Sequence, residues 1–108
     1  MISQVRAEIM AKILACSANG YGTGLMMKMT LDKVIDVCGF KVEKTGNDSI
    51  MEGRKQASDY DIVLCPADFV DMFADAASKG TKVIGLRNVM AQREMADALE
   101  NCGIDLRS

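Results

Sequence analysis

The sequence predicts an α/β domain, a three-layer α/β/α arrangement around a four-stranded parallel sheet of order 2-1-3-4, with a phosphatase-like loop after the first strand. Three observations carry that expectation. Four short apolar runs alternate with segments whose apolar residues recur at helical spacing, which implies parallel pairing through right-handed crossovers. The chain has 108 residues, enough for one hydrophobic core and too few for two ordinary domains. The first apolar run feeds a glycine-rich loop, as a buried strand does.

Lys12 to Ala15 is the first predicted strand. From Thr23 the period changes to helical, with Met27, Leu31, Val34, Ile35 and Cys38 on one face and Lys28, Asp32, Lys33 and Asp36 on others. Thr23 is the expected N-cap and Gly39 the stop. Phe40 to Lys44 reads as the second strand, with Phe40, Val42 and the Lys44 stem on one face, and Gly46-Asn47-Asp48 reads as a turn. Ser49-Ile50-Met51-Glu52 then fits a capping box for a short helix reaching about Ser58, although Gly53 is a poor helix former. Ile62 to Cys65 is the third strand, stopped by Pro66. Ala67 to Ser78 is a helix burying Phe69, Val70, Phe73 and Ala77, closed by Lys79-Gly80. Lys82 to Leu86 is the fourth strand, and Ala91 to Asn101 the last helix, ended by Gly103. Met10-Ala11-Lys12 reads like a start context, so residues 1–9 are expected to be an N-terminal extension and 10–108 the domain.

Composition narrows the chemistry. Apolar residues make up 49% of the chain and charged residues 26%, the balance of a folded globular protein. A net charge of −2 without a basic run gives no reason to expect nucleic acid as a partner. No apolar stretch approaches the roughly 20 residues that cross a bilayer, and the first ten residues lack the pattern of a secretory signal. A soluble cytoplasmic protein is expected. The four cysteines, at 16, 38, 65 and 102, form no C-x-x-C, and there is no histidine. No metal site and no cofactor is therefore expected, reduced thiols are the better reading than disulfides, and every mechanism needing a histidine from this chain is excluded.

In open parallel sheets ligands bind beyond the carboxyl ends of the strands where strand order reverses, here between the first and third strands. Cys16 stands there, followed by Gly20-Tyr21-Gly22-Thr23-Gly24. This glycine spacing fits neither the dinucleotide fingerprint nor a P-loop. A loop running into a helix N-terminus still turns backbone N–H groups inward and can cradle an anion. Those dipoles are expected to lower the Cys16 pKa and make it a nucleophile without histidine, while Ser17, Ala18, Asn19, Gly20, Tyr21, Gly22 and Thr23 bind a phosphoryl group. A tyrosine-phosphatase loop needs an arginine six residues after its cysteine, and Gly22 stands there, so a relay suits this loop better than hydrolysis. Cys38, Cys65 and Cys102 read as small core hydrophobes, with Cys65 near enough in the predicted sheet to form a disulfide with Cys16 if their separation permits. Three methionines in the first turns of one helix cannot all face inward, so one or two are expected to line a docking patch. Arg87 is open to two readings, a solvated charge or a contact to a partner's phosphate.

The stretch ILACSANGYGTGLMMKM at 13–29, in which the cysteine loop runs into N-G-x-G-[ST] and a methionine-rich helix start, resembles the enzyme IIB subunits of the bacterial sugar phosphotransferase system, closest to the ascorbate branch of the ascorbate/galactitol type. VIGLRNVM at 83–90 resembles that family's fourth strand and following loop, and the likeness extends over residues 11–106. The resemblance implies a carrier that accepts phosphate from a phosphohistidine on enzyme IIA onto Cys16. It would pass the group to a sugar, L-ascorbate or a related sugar or alditol, presented by the membrane enzyme IIC. Two alternatives stay open on the residues alone: a regulatory phosphocysteine module without transport, and a thiol-dependent enzyme of sulfur transfer or arsenate reduction.

Overall fold

The computed structural model describes residues 10–18 and 23–106. The expected extension at 1–9 lies outside them. The order is β1 (Ala11–Ser17), α1 (Thr23–Cys38), β2 (Val42–Ser49), α2 (Ile50–Gln56), a 3₁₀ turn (Ala57–Asp59), β3 (Ile62–Pro66), a 3₁₀ segment (Ala67–Phe73), α3 (Ala74–Ser78), β4 (Lys82–Leu86) and α4 (Gln92–Glu100). The strands are parallel and ordered β2-β1-β3-β4, as expected.

Alternation along the two central strands builds a core on each face of the sheet. Ile13 and Ala15 of β1 and Ile62 and Leu64 of β3 meet Met27, Leu31 and Val34 of α1 and Met95 and Leu99 of α4. The residues between them, Leu14 and Cys16, Val63 and Cys65, meet Ile50 of α2, Ala57, Tyr60, Phe73 and Ala76. Each central strand is thus apolar on both sides, which is why it reads as an unbroken apolar run. Met27, Leu31 and Val34 recur every three or four residues, so one stripe of α1 is buried while Leu25, Met26, Met29 and Val37 face out. Gly39, at φ 71°, takes the left-handed conformation after α1, and the Phe40 N–H reaches back to the Ile35 carbonyl at 3.0 Å to close the helix.

Three expectations need correction. The second strand does not stop at Lys44. Gly46, Asn47 and Asp48 pair with Leu14, Ala15 and Cys16 instead of turning. Gly46 is there for space: a Cβ on it would lie 2.8 Å from the Tyr60 hydroxyl and 3.3 Å from Leu14 Cδ1. A register shift between Ala11 and Lys12 also puts Val42 opposite Ala11 but Lys44 opposite Lys12. Val42 therefore packs with the α1 core, while the Lys44 ammonium sits 5.5 Å from the Tyr60 ring centre on the other face. Finally, the helix after Pro66 begins as seven residues of 3₁₀, whose winding of three residues per turn puts Val70 and Phe73 on one face; Ala76 of α3 continues that face, leaving Ala77 exposed.

α2 starts where the S-x-x-E pattern places it. Ser49 Oγ accepts from the Glu52 N–H at 3.2 Å, but the return bond is replaced: the Ser49 N–H donates to Asp48 Oδ1 at 3.2 Å. α4 runs Gln92–Glu100 with Ala91 and Asn101 as its flanking caps, close to the expected span.

Candidate functional site

Cys16 and Ser17 end β1 between β2 and β3, where the strand order reverses. They are neighbours in sequence and so point to opposite faces. Ser17 is buried toward the first turn of α1, where a Cβ on Gly24 would come within 3.0 Å of its Oγ and 3.7 Å of Asn47 Nδ2. Cys16 is 0% exposed and turned toward α2. A Cβ on Gly53 would stand 2.3 Å from Cys16 Sγ, far inside non-bonded contact, so this helical glycine is what admits the thiol.

Ala18 is an exposed bend after β1. Asn19, Gly20, Tyr21 and Gly22 lie outside the described residues, as does the Thr23 side chain and with it the expected cap. The backbone of Thr23 opens α1. Of the predicted site, then, Cys16 and Ser17 come together with the start of α1 at one end of the sheet. Lys28, the nearest cation along α1, is engaged by Asp32 at 2.9 Å, and Asp32 also accepts from the Thr45 hydroxyl at 3.2 Å.

The electrostatics reverse one expectation. Cys16 is not held as a thiolate: burial pushes its pKa up to about 12, and the neighbouring Cys65 and then Asp48 add to the rise. The sulfur is sealed in a low-dielectric layer beneath α2, and the two nearest titratable groups can only be neutral or negative. Burial likewise pushes Cys65 up to about 11, and its thiol lies 3.8 Å from the Ile84 carbonyl oxygen. Both sulfurs are free thiols in the same apolar layer.

Sequence reasoning passed over three residues beside the sulfur. Asp48 lies opposite Cys16 in the β1–β2 register, and Gln56 Nε2 donates to Asp48 Oδ2. Gly53 stands over Sγ from the same face of α2 as Gln56. A glycine in an otherwise helical pattern was the available signal, since such a residue is tolerated mainly where something approaches closely.

Farther out, Met27 is buried while Met26 and Met29 are 51% and 61% exposed, so two of the three helix-start methionines face solvent. With Thr30, Lys33, Met90 and Gln92 they line a groove of about 340 Å³ between α1 and α4. Arg87 follows β4 at the same end of the sheet as Cys16, and its backbone N–H donates to Glu94 Oε2 at 2.7 Å.

The parallel sheet thus places a buried cysteine at its switch point, beside the start of α1. The family model for the lactose/cellobiose-specific IIB subunit of the PTS system matches residues 12–101, and the chain belongs to that family. The matching model is of the lactose/cellobiose type and lends no support to the ascorbate branch that the cysteine loop resembles. Among solved structures, the lactose-specific IIB component domain of the phosphoenolpyruvate:carbohydrate phosphotransferase system from Streptococcus pneumoniae superposes with a TM-score of 0.62. The match covers 85% of this chain and 93% of that one at 17% identity, so it speaks for the fold, the three-layer IIB architecture. Comparison with curated proteins found no match. The chain is thus a phosphotransferase component, a phosphoryl carrier in sugar uptake of the kind that works with IIA and IIC partners. Among the described residues no helix is long and apolar enough to cross a membrane.

Proposed function

We propose that Cys16 is the residue that carries the phosphoryl group. One observation supports this above others: in a IIB-family chain without histidine, Cys16 ends β1 at the switch point and leads into the loop before α1. In the loading step Sγ attacks phosphorus, the S–P bond forms, and the N–P bond of a phosphohistidine on enzyme IIA breaks. The thiol proton goes to the departing imidazole nitrogen. In the unloading step a sugar hydroxyl oxygen attacks the same phosphorus, the S–P bond breaks, and the hydroxyl proton ends on sulfur. A thiol that keeps its proton at rest suits both steps, since neither leaves a free thiolate behind. Because Sγ is fully covered, transfer requires the residues over it to move aside. The backbone of residues 17–23 would cradle the phosphoryl oxygens.

The exposed methionines beside the α1–α4 groove offer adaptable apolar contact for enzyme IIA. The sugar we propose is one of the lactose/cellobiose class named by the family, handed over at the cytoplasmic face of the membrane by contact with enzyme IIC. Sulfur transfer or arsenate reduction would need a standing thiolate, which the burial of Cys16 opposes. Intact-mass analysis of the full chain after incubation with phosphorylated IIA proteins, of both the lactose/cellobiose and the ascorbate/galactitol types, tests acceptor and partner together. A single added phosphate that Cys16→Ser abolishes is expected. Stoichiometric phosphorylation of Cys16→Ser would contradict the assignment, and loading only by an ascorbate-type IIA would contradict the sugar class.

A further inference from the structure

Three elements converge on the Cys16 sulfur from the α2 side of the sheet. Cys16 and Asp48 are register partners on adjacent parallel strands, so their side chains project to the same face, with Cβ atoms about 5 Å apart. α2 touches both, one turn apart: Gly53 closes on Sγ, and Gln56 Nε2 donates to Asp48 Oδ2. The other carboxylate oxygen, Oδ1, accepts from the Ser49 N–H at 3.2 Å. Both oxygens of Asp48 are therefore tied down, one by the helix above it and one by its own strand end. The carboxylate cannot swing away from the sulfur without breaking two hydrogen bonds.

The cation on that face of β2, Lys44, lies over the Tyr60 ring with its ammonium 5.5 Å from the ring centre, four residues along the strand from Asp48, roughly 13 Å. Cys65 is the other titratable group near the sulfur, from β3. Ile50 and Gly53 of α2, Ala57, Phe73 of the 3₁₀ segment and Ala76 of α3 are uncharged. A carrier gains about two negative charges when its thiol becomes a phosphothiol ester, so a fixed carboxylate nearby raises the energy of the loaded form more than that of the empty one.

The geometry points to Asp48 as the residue that sets how readily Cys16 gives up a phosphoryl group, with Gln56 as the positioning residue that holds its charge in place. By opposing negative charge at the sulfur, Asp48 keeps the loaded carrier easy to discharge onto a sugar hydroxyl and hard to trap as a stable phosphocysteine. This rests on the reading of Cys16 as acceptor.

The test uses the full chain and a substitution that removes charge but not shape. In Asp48→Asn the amide oxygen still accepts from the Ser49 N–H, and the amide NH₂ donates to a reoriented Gln56. Each variant is equilibrated with a limiting amount of a phosphorylated IIA protein that loads the wild type, and the ratio of phosphorylated chain to phosphorylated IIA is read by intact mass. Asp48→Asn is expected to shift the ratio about tenfold toward the loaded chain, and to raise the alkylation rate of Cys16 at alkaline pH about threefold, read on its peptide. Asp75→Asn, which removes the same charge from exposed α3, is expected to change neither. An unchanged ratio and an unchanged alkylation rate in Asp48→Asn would overturn the role of Asp48. Failure of every IIA protein to load wild-type Cys16 would overturn the acceptor reading instead, and the alkylation rate still separates the two results because it needs no phosphate donor.

Discussion

Gly53 and Cys16 form a contact whose energetic sign can be read off the geometry. An alanine in place of glycine inside a helix ordinarily stabilises by about 1 kcal/mol. Here the added methyl would sit 2.3 Å from Sγ, and forcing either group aside costs about 2 kcal/mol as overpacking in a closed layer. Gly53→Ala is therefore expected to destabilise the wild type in denaturant unfolding, and to become neutral or stabilising once Cys16→Ala has removed the sulfur. Equal destabilisation in both backgrounds would mean that the helix meets something other than the thiol. The same pair shows what the sequence could convey about the site. The position of Cys16 is legible, because a cysteine closing an apolar run before a glycine loop marks the end of a buried strand. The state of its thiol is not, since pKa depends on which face the side chain takes and on what closes over it. The loop dipoles argued for a thiolate, but α2 and Asp48 come from segments more than thirty residues away and argue the other way.

At the scale of elements, a strand buried on both faces is legible because period and composition agree, as in Ile62–Pro66. The edge strand β2 was cut short because Gly46-Asn47-Asp48 has the local chemistry of a turn, and only the Tyr60 hydroxyl packed against Gly46 shows that its glycine serves close approach. That misreading matters for function, since it removed Asp48 from the neighbourhood of Cys16. The β4–α4 connection supplies a prediction of its own. The Glu94 carboxylate accepts from the Arg87 N–H at 2.7 Å and the Asn88 N–H at 3.0 Å, and these bonds, the first above all, lower its pKa below the usual 4.5. A depressed carboxylate contributes stability that is present above its unfolded pKa and is lost as pH falls through the folded one. Glu94→Gln should thus lower the thermal midpoint by a few degrees at neutral pH, a difference that shrinks as the pH drops below 4.5; a difference constant with pH would assign the loss to packing.

For the whole molecule, the two-sided core explains how a chain this short buries the Cys16 thiol completely. β1 and β3 supply apolar side chains to both layers, and the Cys16 sulfur occupies a core position in one of them. Stability and chemistry are consequently linked through pH. A thiol whose folded pKa is raised contributes stability that is complete below its unfolded value and disappears as pH climbs through the folded value. For Cys16 that window runs from 9.0 to about 12, and for Cys65 from 9.0 to about 11. Wild type should lose stability more steeply than Cys16→Ala across that window in melts taken at stepped alkaline pH; parallel curves would show that the thiol is not sealed in solution. The fold and its family follow from the order of elements and from the match over residues 12–101. The most direct measurement is peptide-level mass mapping of the full chain after loading by a phosphorylated IIA protein. The account predicts phosphate on the β1 peptide at Cys16 and on no other residue. Phosphate found elsewhere, or retained in Cys16→Ser, would contradict it.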